Sequence, residues 1–388
     1  MSNKARISKN ASLIKPSGIR RFFDISAADT DCISLGIGEP DFITPEHISA
    51  AAIRSIEAGH THYTSNIGTP ELRQEISNYL NNRFNIACPA NDIIVTVGGS
   101  EAIDLCLRAV LNPGDEVLIP EPCFVSFSAI VTLCGAVPVP VPCYVENGFR
   151  LTPEALKEKI TPKSKLLVLS YPNNPTGAIM TKKDLEDIAP IVCEADLTIL
   201  SDELYAELTY EGVHCSPASL PVLKDRTVLV SGFSKAFAMT GWRLGYAVGP
   251  DDILQTMLKI HQYAIMSAPT AAQYAAEEAL RNGLPDVTRM RAEYKKRRDY
   301  LCETLDMLGV DCVVPKGAFY AFPYIGKYGL SSDEFCDRLL QEKKLAVIPG
   351  NAFGDCGEGF IRICYANSIE NIERAMFRLE QFIKGFKN

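Results

Sequence analysis

Apolar residues are distributed along the chain in a way that predicts alternating strands and helices between about residue 45 and residue 230. Short runs rich in β-branched residues indicate buried strands, whereas apolar residues three and four positions apart indicate helices. The predicted strands are IIVTV, EVLIP, AVPVPV, KLLVLS, LTILS and RTVLVS, and helical segments separate most of them. Such an alternation predicts an α/β fold with a mostly parallel sheet flanked by helices on both faces.

The two ends of the chain have different patterns. Residues 1–45 begin with a polar arm and end in the glycine-interrupted apolar segment ISLGIGEPDF. Beyond about residue 285, a long charged helix leads into a region punctuated by glycine and proline, and then into a final amphipathic helix. We therefore predict a large domain over residues 46–284 and a smaller α+β domain over residues 285–388, to which part of residues 1–45 contributes.

Composition and charge disfavour several classes of protein. The 388 residues are 47% apolar and 22% charged, as in ordinary globular proteins. A formal net charge of −8 disfavours binding to nucleic acid or to an anionic membrane. No apolar run is long enough to span a bilayer, and the polar N-terminus lacks the hydrophobic core of a signal peptide. These features predict a cytoplasmic protein.

The cysteines and histidines do not indicate a disulfide framework or a metal centre. The thirteen cysteines are scattered and form no CxxC pair, which predicts reduced thiols in a cytoplasmic protein. His60 and His62 have ligand-like spacing, but no third ligand lies near them in the sequence. We therefore predict that the protein holds no metal ion.

One stretch, SGFSKAFAMTGWRL over residues 231–244, carries the most distinctive chemistry. It follows a predicted strand and contains an isolated lysine, Lys235, among small residues. Ser234 precedes that lysine, and Arg243 follows eight positions later. Most lysines are solvated surface residues, but a hydroxyl and a guanidinium near this amine favour a lysine that forms a Schiff base with a phosphate-bearing cofactor.

Three further polar loops follow predicted strands in the same way. GGSEA follows IIVTV, YPNNPTG follows KLLVLS, and DELY follows LTILS. In open α/β sheets the ligand lies outside the carboxyl ends of the strands, so these loops predict one shared site. The segment GIGEPD resembles part of a dinucleotide-binding fingerprint, but Asp41 occupies the position of the third glycine, which disfavours a dehydrogenase.

The motif SGFSKAFAMTGWRLGY and the order of the other motifs resemble class I/II aminotransferases, the fold-type I enzymes that depend on pyridoxal 5′-phosphate. The resemblance extends over nearly the whole chain and is strongest to the subgroup of aspartate and aromatic aminotransferases. It implies a large cofactor-binding domain, a smaller domain, and a homodimer with shared active sites. It also implies that the substrates are amino acids and 2-oxo acids.

The resemblance implies three catalytic residues and one further cofactor ligand. Lys235 corresponds to the lysine that binds the cofactor covalently and then moves the substrate proton. Asp202 corresponds to the acid that pairs with the pyridinium nitrogen and keeps the ring an electron sink. Tyr205 and Asn174 correspond to the two groups that hydrogen-bond the phenolic oxygen of the cofactor.

Five residues correspond to the phosphate site of these enzymes. Gly99, Ser100 and Glu101 would begin a helix and direct backbone N–H groups at the phosphate. Ser234 and Arg243 would complete this site, since an arginine donates two hydrogen bonds to one phosphate group.

The remaining implied contacts involve the cofactor ring, a second subunit and the substrate. Phe124 would stack on the ring, and Tyr63 would reach the phosphate of the cofactor in the neighbouring subunit. Arg362 would bind the α-carboxylate of the substrate, together with Asn174 and a backbone N–H of Gly38. The shared contact through Tyr63 is the reason to expect a dimer.

The substrate preference depends on whether a second cation is available for a distal carboxylate. Residues 261–276, which compare with a segment that supplies this cation in some aspartate aminotransferases, contain no lysine or arginine and offer Tyr263. This favours an aromatic-leaning or broad enzyme with 2-oxoglutarate as acceptor, because a buried carboxylate without a partner is costly. Aspartate is the alternative donor, since Arg20, Arg21 or Ser100 could contact a distal carboxylate instead.

Two other kinds of function stay open. A β-lyase, decarboxylase or racemase uses the same fold and cofactor, although Arg362 favours transamination. Aminotransferase-like domains also act as transcriptional regulators when they are joined to a DNA-binding module. Residues 1–30 are too short for such a module, which disfavours a regulator.

Overall fold

The computed structural model describes residues 6–14 and 31–386 and has the α/β architecture that the apolar pattern predicts. The helices are α1 (Lys9–Ser12), α2 (Glu46–Glu57), α3 (Pro70–Phe84), α4 (Gly98–Val110), α5 (Ser126–Leu133), α6 (Pro153–Lys159), α7 (Lys182–Glu194), α8 (Pro221–Lys224), α9 (Asp251–Ala264), α10 (Thr270–Asn282), α11 (Leu284–Met307), α12 (Ser332–Lys343) and α13 (Ile369–Ile383). The strands are β1 (Ile33–Ser34), β2 (Ile93–Thr96), β3 (Glu116–Glu121), β4 (Val137–Pro142), β5 (Ser164–Ser170), β6 (Thr198–Asp202), β7 (Thr227–Gly232), β8 (Gly245–Val248), β9 (Tyr320–Ala321), β10 (Leu345–Ala346), β11 (Ile348–Pro349) and β12 (Ile361–Cys364).

A seven-stranded sheet with the order β2-β8-β7-β6-β5-β3-β4 forms the centre of the fold. Its strands pair in parallel except β8, which runs antiparallel to both of its neighbours, β2 and β7. β2 and β7 therefore run in the same direction, and the strands other than β8 all end at the same edge. The sequence pattern did not predict β8, because its four residues, GYAV, are too few to stand out as an apolar run.

Helices cover both faces of this sheet, which explains why its central strands are apolar throughout. Successive strand residues point to opposite faces, and β5 demonstrates the consequence. Leu167 and Leu169 pack in one core with residues of α7 and α11, whereas Leu166 and Val168 pack in another with residues of α4, α5 and α9. Within the described ranges, no helix combines the length and the apolar character needed to cross a bilayer.

Two smaller sheets lie outside the central one. β1 pairs in parallel with β10, although more than 300 residues separate the two strands along the chain. β12 lies between β11 and β9 and is antiparallel to both. The final helix, α13, buries Ile372, Met376, Leu379 and Ile383 along one face, as its three- and four-residue spacing predicts.

Candidate active site

A cavity of about 370 Å³ lies at the edge where β2, β5, β6 and β7 end. Residues near β1, together with β9 and β12, contribute to its wall. Of the residues that the sequence predicts for the site, the wall contains Gly38, Gly99, Ser100, Phe124, Asn174, Asp202, Tyr205, Ser234, Lys235, Arg243 and Arg362. The structure therefore brings together all of the predicted residues except Glu101 and Tyr63.

Lys235 lies in the turn that follows β7, and its side chain points into the cavity. Its Nζ donates a hydrogen bond of 2.6 Å to the carbonyl oxygen of Gly38 and lies 5.7 Å from the centre of the Tyr205 ring. Burial lowers the pKa of the Lys235 ammonium to about 8, since a charged amine is poorly solvated there. A large fraction of this amine is thus uncharged, and able to act as a nucleophile or base, near pH 8.

Asp202 is the last residue of β6, directly opposite Ser170 at the end of β5. Its Oδ1 accepts a hydrogen bond from the Leu204 N–H at 3.2 Å, and its Oδ2 accepts one from Ser170 Oγ at 3.4 Å. Burial raises the pKa of this carboxyl to about 6, and these two hydrogen bonds oppose the rise. A buried carboxylate that is held in this way gains most from a cation placed next to it in the cavity.

The first turn of α4 forms a second feature of the cavity, together with Arg243. The guanidinium of Arg243 lies against Gly98, where an added Cβ would come within 2.8 Å of Nη2. A Cβ on Gly245 would come within 2.6 Å of the Gly99 nitrogen, so this approach also requires glycine. Backbone N–H groups at a helix start beside a guanidinium make this turn suitable for an anion with several oxygens.

Two predicted residues lie outside the cavity wall. The carboxylate of Glu101 turns back from it, accepting a hydrogen bond from the Val97 N–H at 2.5 Å and lying 2.7 Å from Nδ1 of His261. The side chain of Glu101 therefore stabilises the start of α4 instead of lining the cavity. Tyr63 lies in the loop between α2 and α3 and is 81% exposed.

Arg362 is buried on β12 and faces the opposite side of the cavity. Its Nη1 donates a 2.9 Å hydrogen bond to Asn174 Oδ1, and its Nη2 donates to the carbonyl oxygen of Gly36. Within the described residues, its buried Nε has no hydrogen-bond partner. Its Cζ lies 4.6 Å from the centre of the Tyr320 ring. The guanidinium is fixed between neutral groups and keeps its charge available to a carboxylate.

Tyr320 is a cavity residue that the sequence analysis missed. Its hydroxyl lies 2.7 Å from that of Tyr205, and its ring contacts the Arg362 guanidinium. Tyr320 is opposite Cys364 in the pairing of β9 with β12, so strand register places it near Arg362. The surrounding sequence, GAFYAFP, contains three aromatic residues and gives no signal that distinguishes this one.

The chemistry of this donor set fits pyridoxal 5′-phosphate. Lys235 supplies an amine for the aldehyde, Asp202 supplies a carboxylate for the ring nitrogen, and Asn174 and Tyr205 supply groups that form hydrogen bonds. The glycine-lined start of α4 and Arg243 supply the anion site that its phosphate requires. Phe124 adds an aromatic ring to the same wall.

Comparison with known proteins identifies the class. The sequence profile described as "Aminotransferase class I and II" matches residues 30–379. The chain is 48% identical to an aspartate aminotransferase of Pyrococcus abyssi, over 98% of this chain and 99% of that protein. It is 46% identical to the aromatic-amino-acid aminotransferase 2 of Thermococcus litoralis, again over 98% and 99%. The solved structure of Pyrococcus protein-A1 has a TM-score of 0.96 at 46% identity, covering 97% of this chain and 98% of that one.

The chain therefore belongs to the class I and II aminotransferases. It is a transferase that depends on pyridoxal phosphate and carries out transamination. The fold, the enzyme class and the cofactor that the sequence resemblance implied are all confirmed.

The depressed pKa of Lys235 predicts that this amine destabilises the apoenzyme. The unfolded chain binds the lysine proton up to pH about 10.5, but the folded chain loses it near pH 8. We expect Lys235→Met to stabilise the apoenzyme at pH 7 by about 3 kcal/mol, and by only about 1 kcal/mol at pH 10. Urea unfolding at the two pH values measures this difference. Equal stabilities of the two proteins at pH 7 would contradict it.

Proposed function

We propose that this enzyme moves an amino group between an L-amino acid and a 2-oxo acid such as 2-oxoglutarate. It either prefers aromatic amino acids or accepts a broad range of amino acids. Aspartate is the alternative donor. The observation that supports the proposal is the presence of a partly buried amine, Lys235, and a buried guanidinium, Arg362, in one cavity. The guanidinium fits the α-carboxylate that every amino acid carries, and the amine fits proton transfer at the α-carbon.

We propose the following roles around the reacting atoms. Bound pyridoxal phosphate supplies an electron sink that stabilises negative charge formed at the substrate α-carbon. Nζ of Lys235, once released from the Gly38 carbonyl, accepts the α-proton and later returns it. Asp202, as a carboxylate, would hold a proton on the ring nitrogen, and Tyr205 and Asn174 would form hydrogen bonds with the phenolic oxygen. Supporting these roles, all of these side chains share the cavity wall.

Substrate orientation is assigned to Arg362 with Asn174 and Gly38. Arg362 now contacts two neutral oxygens, those of Asn174 and Gly36, so a bidentate carboxylate would offer it stronger, charge-assisted hydrogen bonds. Holding the carboxylate at this point also disfavours decarboxylation, because the bond to the carboxylate is kept away from the position in which it would break. Transamination is therefore preferred over the other chemistries of this fold.

The cofactor phosphate is assigned to the first turn of α4. Backbone N–H groups of Gly99, Ser100 and Glu101, the hydroxyl of Ser234 and the guanidinium of Arg243 are the proposed donors. The glycine-dependent approach of Arg243 and Gly245 to this turn supports the assignment. Phe124 is assigned to the face of the ring.

The charges in the cavity support the substrate preference. The cations among the described wall residues are Lys235, Arg243 and Arg362, and each already has a proposed role. The distal carboxylate of an aspartate substrate would thus have no cation to pair with on the described wall. Ser100, which could contact this carboxylate, offers only a hydroxyl. The two N-terminal arginines that could supply a cation, at positions 20 and 21, lie outside the described residues. Relatives named for aspartate and for aromatic amino acids have similar identities to this chain, so their names do not decide between the two.

A panel of amino acids with 2-oxoglutarate as acceptor tests the proposed preference. We expect phenylalanine and tyrosine to have kcat/KM values equal to or above that of aspartate. A preference for aspartate of about 100-fold or more, roughly 2.7 kcal/mol in transition-state stabilisation, would contradict the proposal and reveal a distal cation. Failure of every amino acid to convert the cofactor to its amine form would contradict transamination itself.

We propose a homodimer whose subunits cover an exposed apolar face of the chain. This face contains Tyr63, Tyr263, which is 94% exposed, and Met266. A 2.7 Å hydrogen bond from Asn66 Nδ2 to the Met266 carbonyl oxygen joins its two segments. A second copy of the chain is the proposed occupant, with Tyr63 reaching the phosphate of the partner's cofactor.

Sedimentation velocity tests this assembly. We expect a dimer at assay concentrations, and we expect Tyr63→Phe to weaken cofactor binding by about tenfold, since one hydrogen bond to a charged group is lost. Phe377→Tyr, at an exposed site on α13, is a control that should change neither property. An active monomer would contradict the proposal.

The domain division and the location of the protein are also proposals. The pairing of β1 with β10 supports assigning part of residues 1–45 to the small domain of residues 285–388. Residues 46–284 hold the central sheet and form the proposed large domain. The buried cysteines Cys106, Cys123, Cys143, Cys336 and Cys364 are free thiols, which supports a cytoplasmic location, and a role in amino acid biosynthesis agrees with the chemistry.

A further inference from the structure

His261, on α9, is a fully buried histidine with an unusual environment. Its Nδ1 lies 2.7 Å from Oε1 of Glu101, whereas its Nε2 is buried without a hydrogen-bond partner in the described structure. The 2.7 Å contact is a hydrogen bond that Nδ1 of His261 donates to the Glu101 carboxylate.

Glu101 uses both of its oxygens at the start of α4. Oε2 accepts a 2.5 Å hydrogen bond from the Val97 N–H, and Oε1 accepts from His261. These two bonds hold the carboxylate behind the first turn of α4, away from the cavity. Gly99 and Ser100, in the same turn, line the cavity.

A carboxylate at this point is a potential competitor for the backbone N–H groups of this turn. The start of a helix attracts any anion, whether it is a phosphate or a nearby side chain. If the bond from His261 were lost, rotation about the side-chain bonds of Glu101 would bring its charge closer to Gly99 and Ser100. The phosphate would then meet a like charge and fewer available donors.

We propose that His261 is a positioning residue for the cofactor phosphate, acting through Glu101. Its hydrogen bond holds the Glu101 carboxylate against Val97 and so keeps the first turn of α4 available to an external anion. This inference rests on the proposed placement of the phosphate at α4. The inference adds His261 to the residues that prepare the phosphate site. His261 lies 160 positions after Glu101 in the sequence and does not touch the cofactor.

The test compares two substitutions of His261 that differ in one donor. The side-chain nitrogen of asparagine occupies nearly the same place as histidine Nδ1, so His261→Asn keeps the bond to Glu101, whereas His261→Leu removes it. Absorbance titration of the apoenzymes gives dissociation constants for pyridoxal phosphate and for pyridoxal, which lacks the phosphate. We expect His261→Leu to weaken pyridoxal phosphate binding about tenfold and pyridoxal binding less than about twofold. His261→Asn should resemble the unmodified enzyme with both ligands.

A double variant separates competition by Glu101 from a loss of structure. Adding Glu101→Gln to His261→Leu removes the competing charge, and we expect it to restore much of the affinity for pyridoxal phosphate. His261→Phe, which keeps a ring in this space, provides a second test should the leucine variant fold poorly.

Three results would overturn the inference. Equal weakening of both ligands would mean that His261 only supports the fold, and unchanged binding in His261→Leu and His261→Phe would mean that it has no such role. An unmodified enzyme that does not distinguish pyridoxal phosphate from pyridoxal would refute the proposed phosphate site itself. That result differs from the other two, since it appears before any substitution is made.

Discussion

Replacing Lys235 with alanine is expected to abolish covalent cofactor binding and to lower kcat/KM for transamination by roughly 10⁴-fold or more. The physical reason is that no other side chain of the described wall supplies an amine. The two remaining cations, Arg243 and Arg362, carry guanidinium groups, which serve poorly as nucleophile or base. The absorbance band of the lysine-bound cofactor should disappear, although the phosphate site should still hold the cofactor non-covalently.

Two control variants make this result specific. Lys235→Arg keeps the positive charge without a suitable amine and is expected to be as inactive as the alanine variant. Lys183→Ala removes an exposed lysine of α7, paired with Asp187 at 2.8 Å, and should leave both the spectrum and the rate unchanged. Turnover at the original rate in Lys235→Ala would refute the assignment of this lysine.

Asp202→Asn is expected to lower the rate of α-proton removal by about 10²–10³-fold, or roughly 3–4 kcal/mol, the loss seen when one preorganised electrostatic group is removed. An amide does not stabilise a protonated ring nitrogen as a carboxylate does, so the cofactor becomes a weaker electron sink. Single-turnover kinetics with saturating cofactor measure this step directly. Asp202 keeps its position through hydrogen bonds from the Leu204 N–H to Oδ1 and from Ser170 Oγ to Oδ2. In the variant, the asparagine oxygen can accept from the Leu204 N–H and its NH2 group can donate to Ser170 Oγ, so the cofactor should still bind.

Asp187→Asn, an exposed position on α7, is the matched control for Asp202→Asn. It makes the same chemical change far from the cavity and should have no kinetic effect. If Asp202→Asn had an unchanged single-turnover rate, the carboxylate would not be needed at the ring nitrogen. A lost rate together with lost cofactor binding would instead indicate a structural defect.

Both of these residues reduce the stability of the folded chain while they prepare its chemistry. Burial lowers the pKa of Lys235 to about 8 and raises the pKa of Asp202 to about 6, because both charged forms are poorly solvated in the cavity. The cost at Asp202 appears as the pH rises through 3.8 toward 6, since the unfolded chain ionises first. Pyridoxal phosphate would offer an aldehyde to the Lys235 amine and a ring cation to the Asp202 carboxylate. Both costs would then be smaller, which favours cofactor binding.

The α/β class and most of the residues around the cavity could be predicted from the order of the amino acids alone. Buried parallel strands require continuous apolar runs, and such runs are visible without any knowledge of contacts. Lys235 and Arg243 lie in one short motif, Asp202 lies at the end of a strand, and Asn174 lies in the loop after another strand. Their position at one edge of the sheet therefore followed from the rule that parallel strands end together. Their chemistry depends on local sequence and strand direction, and both can be inferred from the apolar pattern.

The partners of these residues became apparent only in the folded structure. Tyr320 reaches Tyr205 and Arg362 through the register of β9 with β12, and nothing in GAFYAFP indicates that register. His261 and Glu101 are 160 residues apart in the sequence and come into contact because α9 packs on α4. Neither residue's local sequence therefore predicts the contact. Such contacts are set by how separate elements pack together, which depends on shape and burial over the whole molecule and not on any local pattern.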